Sequence, residues 1–146
     1  MEKTKSKINI LNTIKFLLIA VGILVILAAL FAVIKLKVGA RAALRDAKDV
    51  QMALETTDVE MYANGKSIYN PQKAYGIEEG VKEKVAEIAE VDGKYYVTSY
   101  STARREITGM KYQTGNYIVY YTKKGESIDW DIDYILRVYR FEDKGE

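Results

Sequence analysis

Residues 16–34, FLLIAVGILVILAALFAVI, form a run of 19 residues without a charged or hydrogen-bonding side chain. At about 1.5 Å of rise per residue, a helix of this length reaches roughly 28 Å, close to the hydrocarbon thickness of a bilayer. Two other uses of such a run are weaker. A helix apolar on all sides needs a large soluble core around it, and the remaining residues are too few and too polar to build one. A secretory signal has a shorter apolar segment and a small-residue cleavage site, whereas Lys35 and Lys37 follow this run. The expectation is a transmembrane helix over 16–34 in a cell membrane, with the lipid bilayer as its first partner.

Charge divides around this segment. Residues 1–48 carry nine Lys and Arg against two acidic residues, and the rest of the chain carries thirteen against eighteen, so a basic half precedes an acidic one. The basic residues, Lys3, Lys5, Lys7 and Lys15 before the run and Lys35, Lys37, Arg41, Arg45 and Lys48 after it, stand where anionic headgroups would meet them. That placement favours a membrane surface over nucleic acid. Four cations on one side nearly balance five on the other, so the positive-inside count does not decide orientation. A short basic start that stays in the cytoplasm and a long acidic part that is translocated make the C-terminal domain extracytoplasmic. With no cysteine and no histidine, disulfides, thiolate sites and the commonest general base and metal ligand are all absent, and no enzyme or cofactor is expected.

Past the run, residues 35–64 have no proline and one glycine, Gly39, and are rich in strong helix formers. A single helix over about 9–63 is expected. Leu36, Ala40, Ala43, Ala47, Val50, Leu54 and Met61 recur at spacings of three and four, with a gap at Thr57. This stripe is either an ordinary core face or, in its alanine-rich part, a surface for another helix. Arg41, Arg45, Asp46, Lys48 and Asp49 could form charged ladders between neighbouring helices. Within the membrane segment Gly22, Ala28, Ala29 and Ala32 offer small surfaces for span packing. The candidate assembly residues are therefore Gly22, Ala28, Ala32, Ala40, Ala43 and Ala47.

Asn64-Gly65 supplies a helix C-cap. A loop with the only proline, Pro71, follows. Ile77, Val81, Val85, Ile88 and Ala89 then mark a short amphipathic helix closed by Asp92-Gly93. From there the period changes to two. KYYVTSY (94–100), EITGMKY (106–112), NYIVYYT (116–122) and DYILRVYRF (133–141) read as three or four antiparallel strands, joined at Gln113-Thr114-Gly115-Asn116 and Lys123-Lys124-Gly125-Glu126. The organisation is thus a basic cytoplasmic tail (1–15), a span (16–34), an amphipathic helix continuing it (35–64), a loop with a short helix (65–93) and a sheet (94–146), an α+β fold. Asp129, Asp131 and Asp133 alternate in IDWDIDY and are weak metal candidates. Without the glycine and distal glutamate of a known calcium loop, they read better as a solvated strand face with Trp130 and Ile132 turned inward.

This order resembles type IV pilins and the pseudopilins of type II secretion and competence systems. The local likeness is greatest over 40–71, where a helix with alternating basic and acidic residues leads through Ala53-Leu54-Glu55 and Tyr62 to Asn64-Gly65, Tyr69 and Pro71. The resemblance implies a pilin-like fold and a structural or accessory subunit whose partners are other pilin-like subunits or copies of itself. It does not extend to the processing motif: Lys15 precedes Phe16 where the family has glycine, and Ala20 stands where it has a glutamate. That departure implies a subunit that keeps its N-terminus, at a tip, as an initiator or as an accessory. A different class remains open, a monomeric membrane-tethered binding or regulatory module using its tyrosine-rich sheet. A scaffold built on a coiled coil is weaker, because the core stripe does not sustain strict heptads.

Overall fold

The structure, a computed structural model, describes the backbone of residues 2–136 and the side chains of residues 12–136. The chain forms two compact units, Met1–Val38 and Gly39–Glu146. One helix, α1 (Glu2–Ala63), runs through both without a break, starting earlier than the sequence indicates. Nothing in its composition interrupts it, since the only internal glycines are Gly22 and Gly39 and there is no proline.

In the first unit every described side chain of α1 is exposed, Phe16, Leu24 and Phe31 by 74, 69 and 69%. Exposed phenylalanine and leucine on all sides of a helix have no stable place in water. This is one helix, near the N-terminus, long and apolar enough to span a membrane.

The second unit is an α+β fold in which α1 meets a four-stranded antiparallel meander, β1 (Lys94–Ser101), β2 (Glu106–Thr114), β3 (Tyr117–Lys124) and β4 (Ser127–Tyr134), paired in that order. Ala43, Ala47, Val50, Ala53 and Leu54 of α1 pack into one core with Val97, Met110, Tyr112, Val119 and Tyr121 of the sheet. The gap in the helical stripe is filled rather than empty. Thr57 is fully buried, and its hydroxyl donates to the Ala53 carbonyl at 2.8 Å, which satisfies the polar atom and leaves the methyl group for the core. Gly39 is needed for close approach: a Cβ there would lie 2.3 Å from the Tyr117 hydroxyl.

The end of α1 is a Schellman cap. Gly65 takes the left-handed conformation at φ 72°, its N–H donates to the Tyr62 carbonyl, and the Lys66 N–H donates to that of Met61. The loop then returns through a bridge between Tyr69 and Ile77 and a 3-10 turn (Ala74–Gly76) that lies against β1. Gly76 is required there twice over, by its φ of 69° and because a Cβ would sit 2.2 Å from the Val97 carbonyl oxygen.

Two element boundaries differ from the sequence reading. The short helix α2 is Val81–Ala89, so Ile77 belongs to the bridge, Ile88 is 46% exposed, and the stop is Glu90 in the left-handed region rather than Asp92-Gly93. The fourth strand is Ser127–Tyr134, upstream of the 133–141 segment that composition favours. Hairpin geometry decides this: Lys124 pairs with Ser127 across a two-residue turn, so β4 must begin directly after Gly125-Glu126. Residues 137–141 of the expected strand lie outside the described residues.

Candidate interaction surface

The six assembly candidates do not share one fate. Gly22, Ala28 and Ala32 lie on the uncovered helix of the first unit, and nothing approaches the site of a Cβ at Gly22. Ala40 is half-buried, whereas Ala43 and Ala47 are 1 and 0% exposed in the core of the second unit. Ala43 and Ala47 are therefore not an assembly surface. Their small size lets the sheet, not another helix, approach α1 closely, as the packing of Val50, Ala53 and Leu54 on the same face requires.

The charged residues beside them are only partly free. Lys48 lies over the ring of Trp130, 5.7 Å from its centroid, and Trp130 in turn packs on Tyr121 with centroids 4.8 Å apart. Arg45 remains open, its side chain 77% exposed and only 3.8 Å from a carboxylate oxygen of its neighbour Asp46. Farther along α1, Glu60 accepts from Lys84 of α2 at 2.9 Å. What stays uncovered is the α1 face opposite the core, with Arg41, Ala42, Arg45, Met52, Thr56 and Val59 all exposed, Met52 and Val59 by 62 and 71%.

Asp129, Asp131 and Asp133 stand on one face of β4 as their alternation predicts, with Trp130 and Ile132 on the half-buried side. Their cross-strand neighbours on β3 are Thr122, Tyr120 and Ile118. Successive positions on that face are roughly 6.6 Å apart along the backbone. Among the described residues no group of acidic side chains is placed to hold a metal ion.

A buried polar cluster at the end of α1 is the feature the sequence did not signal. Asp58 is 7% exposed; its carboxylate accepts from the Ile68 N–H at 3.3 Å and from the Tyr100 hydroxyl at 2.7 Å. Tyr100 stacks on Tyr69 with ring centroids 5.5 Å apart. Beside it the Arg105 guanidinium lies 3.3 Å from the centroid of Tyr62, held there by a left-handed backbone at φ 55°. Helix end, return loop and the β1–β2 hairpin are thereby tied at one point. Burial, and then the hydrogen bond to Asp58, push the Tyr100 hydroxyl above its ordinary pKa of 10.0. A shallow polar depression of 240 Å³ adjoins it, lined by Lys66, Ser67, Tyr100, Thr102 and Arg105.

A second charged group bridges α1 and the sheet. Lys123 donates to Glu106 across β2 and β3, and that bond first of all raises the lysine's pKa. Glu55 of α1 is raised too, chiefly by burial, with Lys123 opposing. Both clusters act as ties between elements. Scans against protein-family models, curated proteins and solved structures find no match to this chain.

Proposed function

We propose that this chain is a pilin-like, single-pass membrane subunit, structural or accessory, of a type IV pilus, competence or type II secretion-like assembly. One observation carries the reading: a single unbroken helix, Glu2–Ala63, is apolar on every side over 16–34 and farther on serves as the core helix of an α+β unit with a four-stranded antiparallel meander. The Schellman cap at Asn64-Gly65, leading to Tyr69 and Pro71, agrees with the family resemblance of 40–71. The basic start lies in the cytoplasm, the span in the cell membrane and the sheet outside. The span is held by burial of its apolar surface in lipid, and neighbouring spans meet at Gly22, Ala28 and Ala32.

Burial of Ala43 and Ala47 favours a second reading, because it removes part of the assembly face. On that reading the unit is a monomeric, membrane-tethered binding module. The test is photocrosslinking in cells from probes placed at Ala28 and Ala32, with crosslinked neighbours identified by mass spectrometry. Recovery of other span-bearing subunits or of the chain itself is expected. A chain that stays uncrosslinked to any protein, while carbonate washing leaves it in the membrane, overturns the subunit reading in favour of the tethered module.

A further inference from the structure

Gly39, the first residue of the second unit, follows Ile34, the last residue of the apolar run, by five positions. A connection of that length reaches about 18 Å at most when fully extended, so one end of the α+β unit is held close to the bilayer. The fold fixes which residues stand at that end. Tyr117 lies against Gly39, its hydroxyl 2.3 Å from the site of a Cβ there, and Tyr117 pairs across the sheet with Tyr134, the ring centroids 5.1 Å apart. The Asn116 amide donates to the Tyr134 hydroxyl at 3.4 Å, and the Ile135 N–H donates to the Asn116 carbonyl at 2.7 Å, which places Leu136 at the same end.

Three side chains there are uncovered. Leu136 is 72% exposed and Tyr134 is 44% exposed, although Ile132, two residues earlier on the Tyr134 face of β4, is half-buried. Arg41 is exposed, and among the described residues no carboxylate lies within ion-pair distance of it. Lys48 of α1 lies over Trp130 of β4. Arg41 is two turns back from Lys48 on the same helix face, roughly 10 Å, and Tyr134 is four residues on from Trp130, roughly 13 Å. Both steps lead toward Gly39, so Arg41 and Tyr134 share one corner of the unit.

We propose that this end of the second unit is a membrane-docking surface, seated on the phospholipid headgroup layer of the bilayer that holds the span. The three side chains match the layers of such a surface: leucine suits the acyl boundary, tyrosine the headgroup level, and the guanidinium a phosphate. The short connection identifies the partner, because it presents this end to the bilayer at an effective concentration that no soluble partner matches. Asp92 and Asp133 at the same end offset Arg41 and Lys94, so the surface fits phospholipid in general rather than anionic lipid in particular. The inference rests on the membrane-anchored reading of 16–34.

Because the chain has no cysteine, one dye can be placed at will on the full-length protein. Leu136→Cys and, in the turn at the other end of β4, Glu126→Cys are labelled with an environment-sensitive fluorophore and reconstituted in phosphatidylcholine vesicles at a high lipid-to-protein ratio. The dye at position 136 should show blue-shifted emission, lose its quenching by aqueous acrylamide and be quenched by phosphatidylcholine carrying a nitroxide on its acyl chain; the dye at position 126 should do none of these. Adding Arg41→Glu, which sets a carboxylate against phosphate, should return acrylamide quenching to position 136. Unchanged Trp130 emission establishes that the variants fold. Equal acrylamide quenching at both positions overturns the proposal. Protection at position 136 without quenching by the nitroxide lipid also overturns it, since protein rather than lipid then covers this end. Failure of the anchored reading is read separately, from a chain that does not float with the vesicles.

Discussion

Replacing Tyr100 by Phe and Tyr121 by Phe removes one oxygen in each case, and the structure assigns the two changes opposite consequences. The Tyr100 hydroxyl donates to Asp58 at 2.7 Å, and Asp58, 7% exposed, has the Ile68 N–H as its other donor. Tyr100→Phe therefore leaves a buried carboxylate with half of its hydrogen bonds. A bond to a charged group is worth about 1.5–3 kcal/mol, and the unpaired oxygen places the loss toward the upper end. The Tyr121 hydroxyl is buried without a hydrogen-bond partner in the protein, while its ring packs on Trp130. Tyr121→Phe keeps the ring contact and removes an unsatisfied group, so it should be neutral or stabilise by up to about 1 kcal/mol. Trp130, the only tryptophan, reports on the second unit alone, and its fluorescence can be followed through urea unfolding of the detergent-solubilised full chain. With a urea slope of about 1–2 kcal/mol per M, the midpoint should fall by about 1–2 M for Tyr100→Phe and stay or rise for Tyr121→Phe. Equal losses for both would refute the reasoning, because burial of the ring rather than satisfaction of the hydroxyl would then be the deciding quantity.

Alkaline titration provides a second test. Tyr95, Tyr100, Tyr112 and Tyr121 are all raised above 10.0, burial being the largest cause for each, so the folded state keeps protons that the unfolded chain releases. Stability should be full below pH 10 and fall above it, each proton of difference contributing about 1.4 kcal/mol per pH unit; a flat urea midpoint between pH 9 and pH 11 would contradict this. In the core, Leu54→Ala should destabilise by about 2–5 kcal/mol, because the residue is fully buried, whereas Met52→Ala, 62% exposed, should stay within about 0.5 kcal/mol in the same assay on monomeric protein. Gly76→Ala combines a positive φ with a Cβ 2.2 Å from the Val97 carbonyl and should cost more than about 1–3 kcal/mol; an unchanged midpoint would mean that the 3-10 turn does not lie against β1 as described.

The parts of the fold that the sequence discloses are those in which a single local rule acts alone. Residues 16–34 have no polar atom to confuse the reading, and β1 to β3 combine β-branched and aromatic residues with an alternation of two. The register of β4 was hidden because three aspartates depress strand propensity in 127–134, while Tyr134, Ile135, Leu136 and Val138 raise it downstream. Thr57 looked like an interruption because its hydroxyl is polar on paper; the bond to Ala53 is only visible once the helix exists. The stripe of alanines was legible as a packing face, but not what would pack on it, since a sheet and a second helix both favour small residues. Asp58 gave no signal at all. Its partner Tyr100 is 42 residues away, and a lone aspartate near a helix end ordinarily stays in solvent.

The row formed by Asp129, Asp131 and Asp133 on β4 has a consequence for the edge of the sheet. A sheet in the order β1-β2-β3-β4 has two outer strands, each with backbone groups ready to recruit a strand from another molecule. At β1 the 3-10 turn at Ala74–Gly76 lies alongside. At β4 the defence is electrostatic: the same strand of another copy laid antiparallel against it would bring Asp131 opposite Asp131 and Asp129 opposite Asp133, like charges across each rung. In that register, another copy brought to β4 meets like charges instead of a receptive strand edge, so crowding many copies together gains little from pairing at this edge.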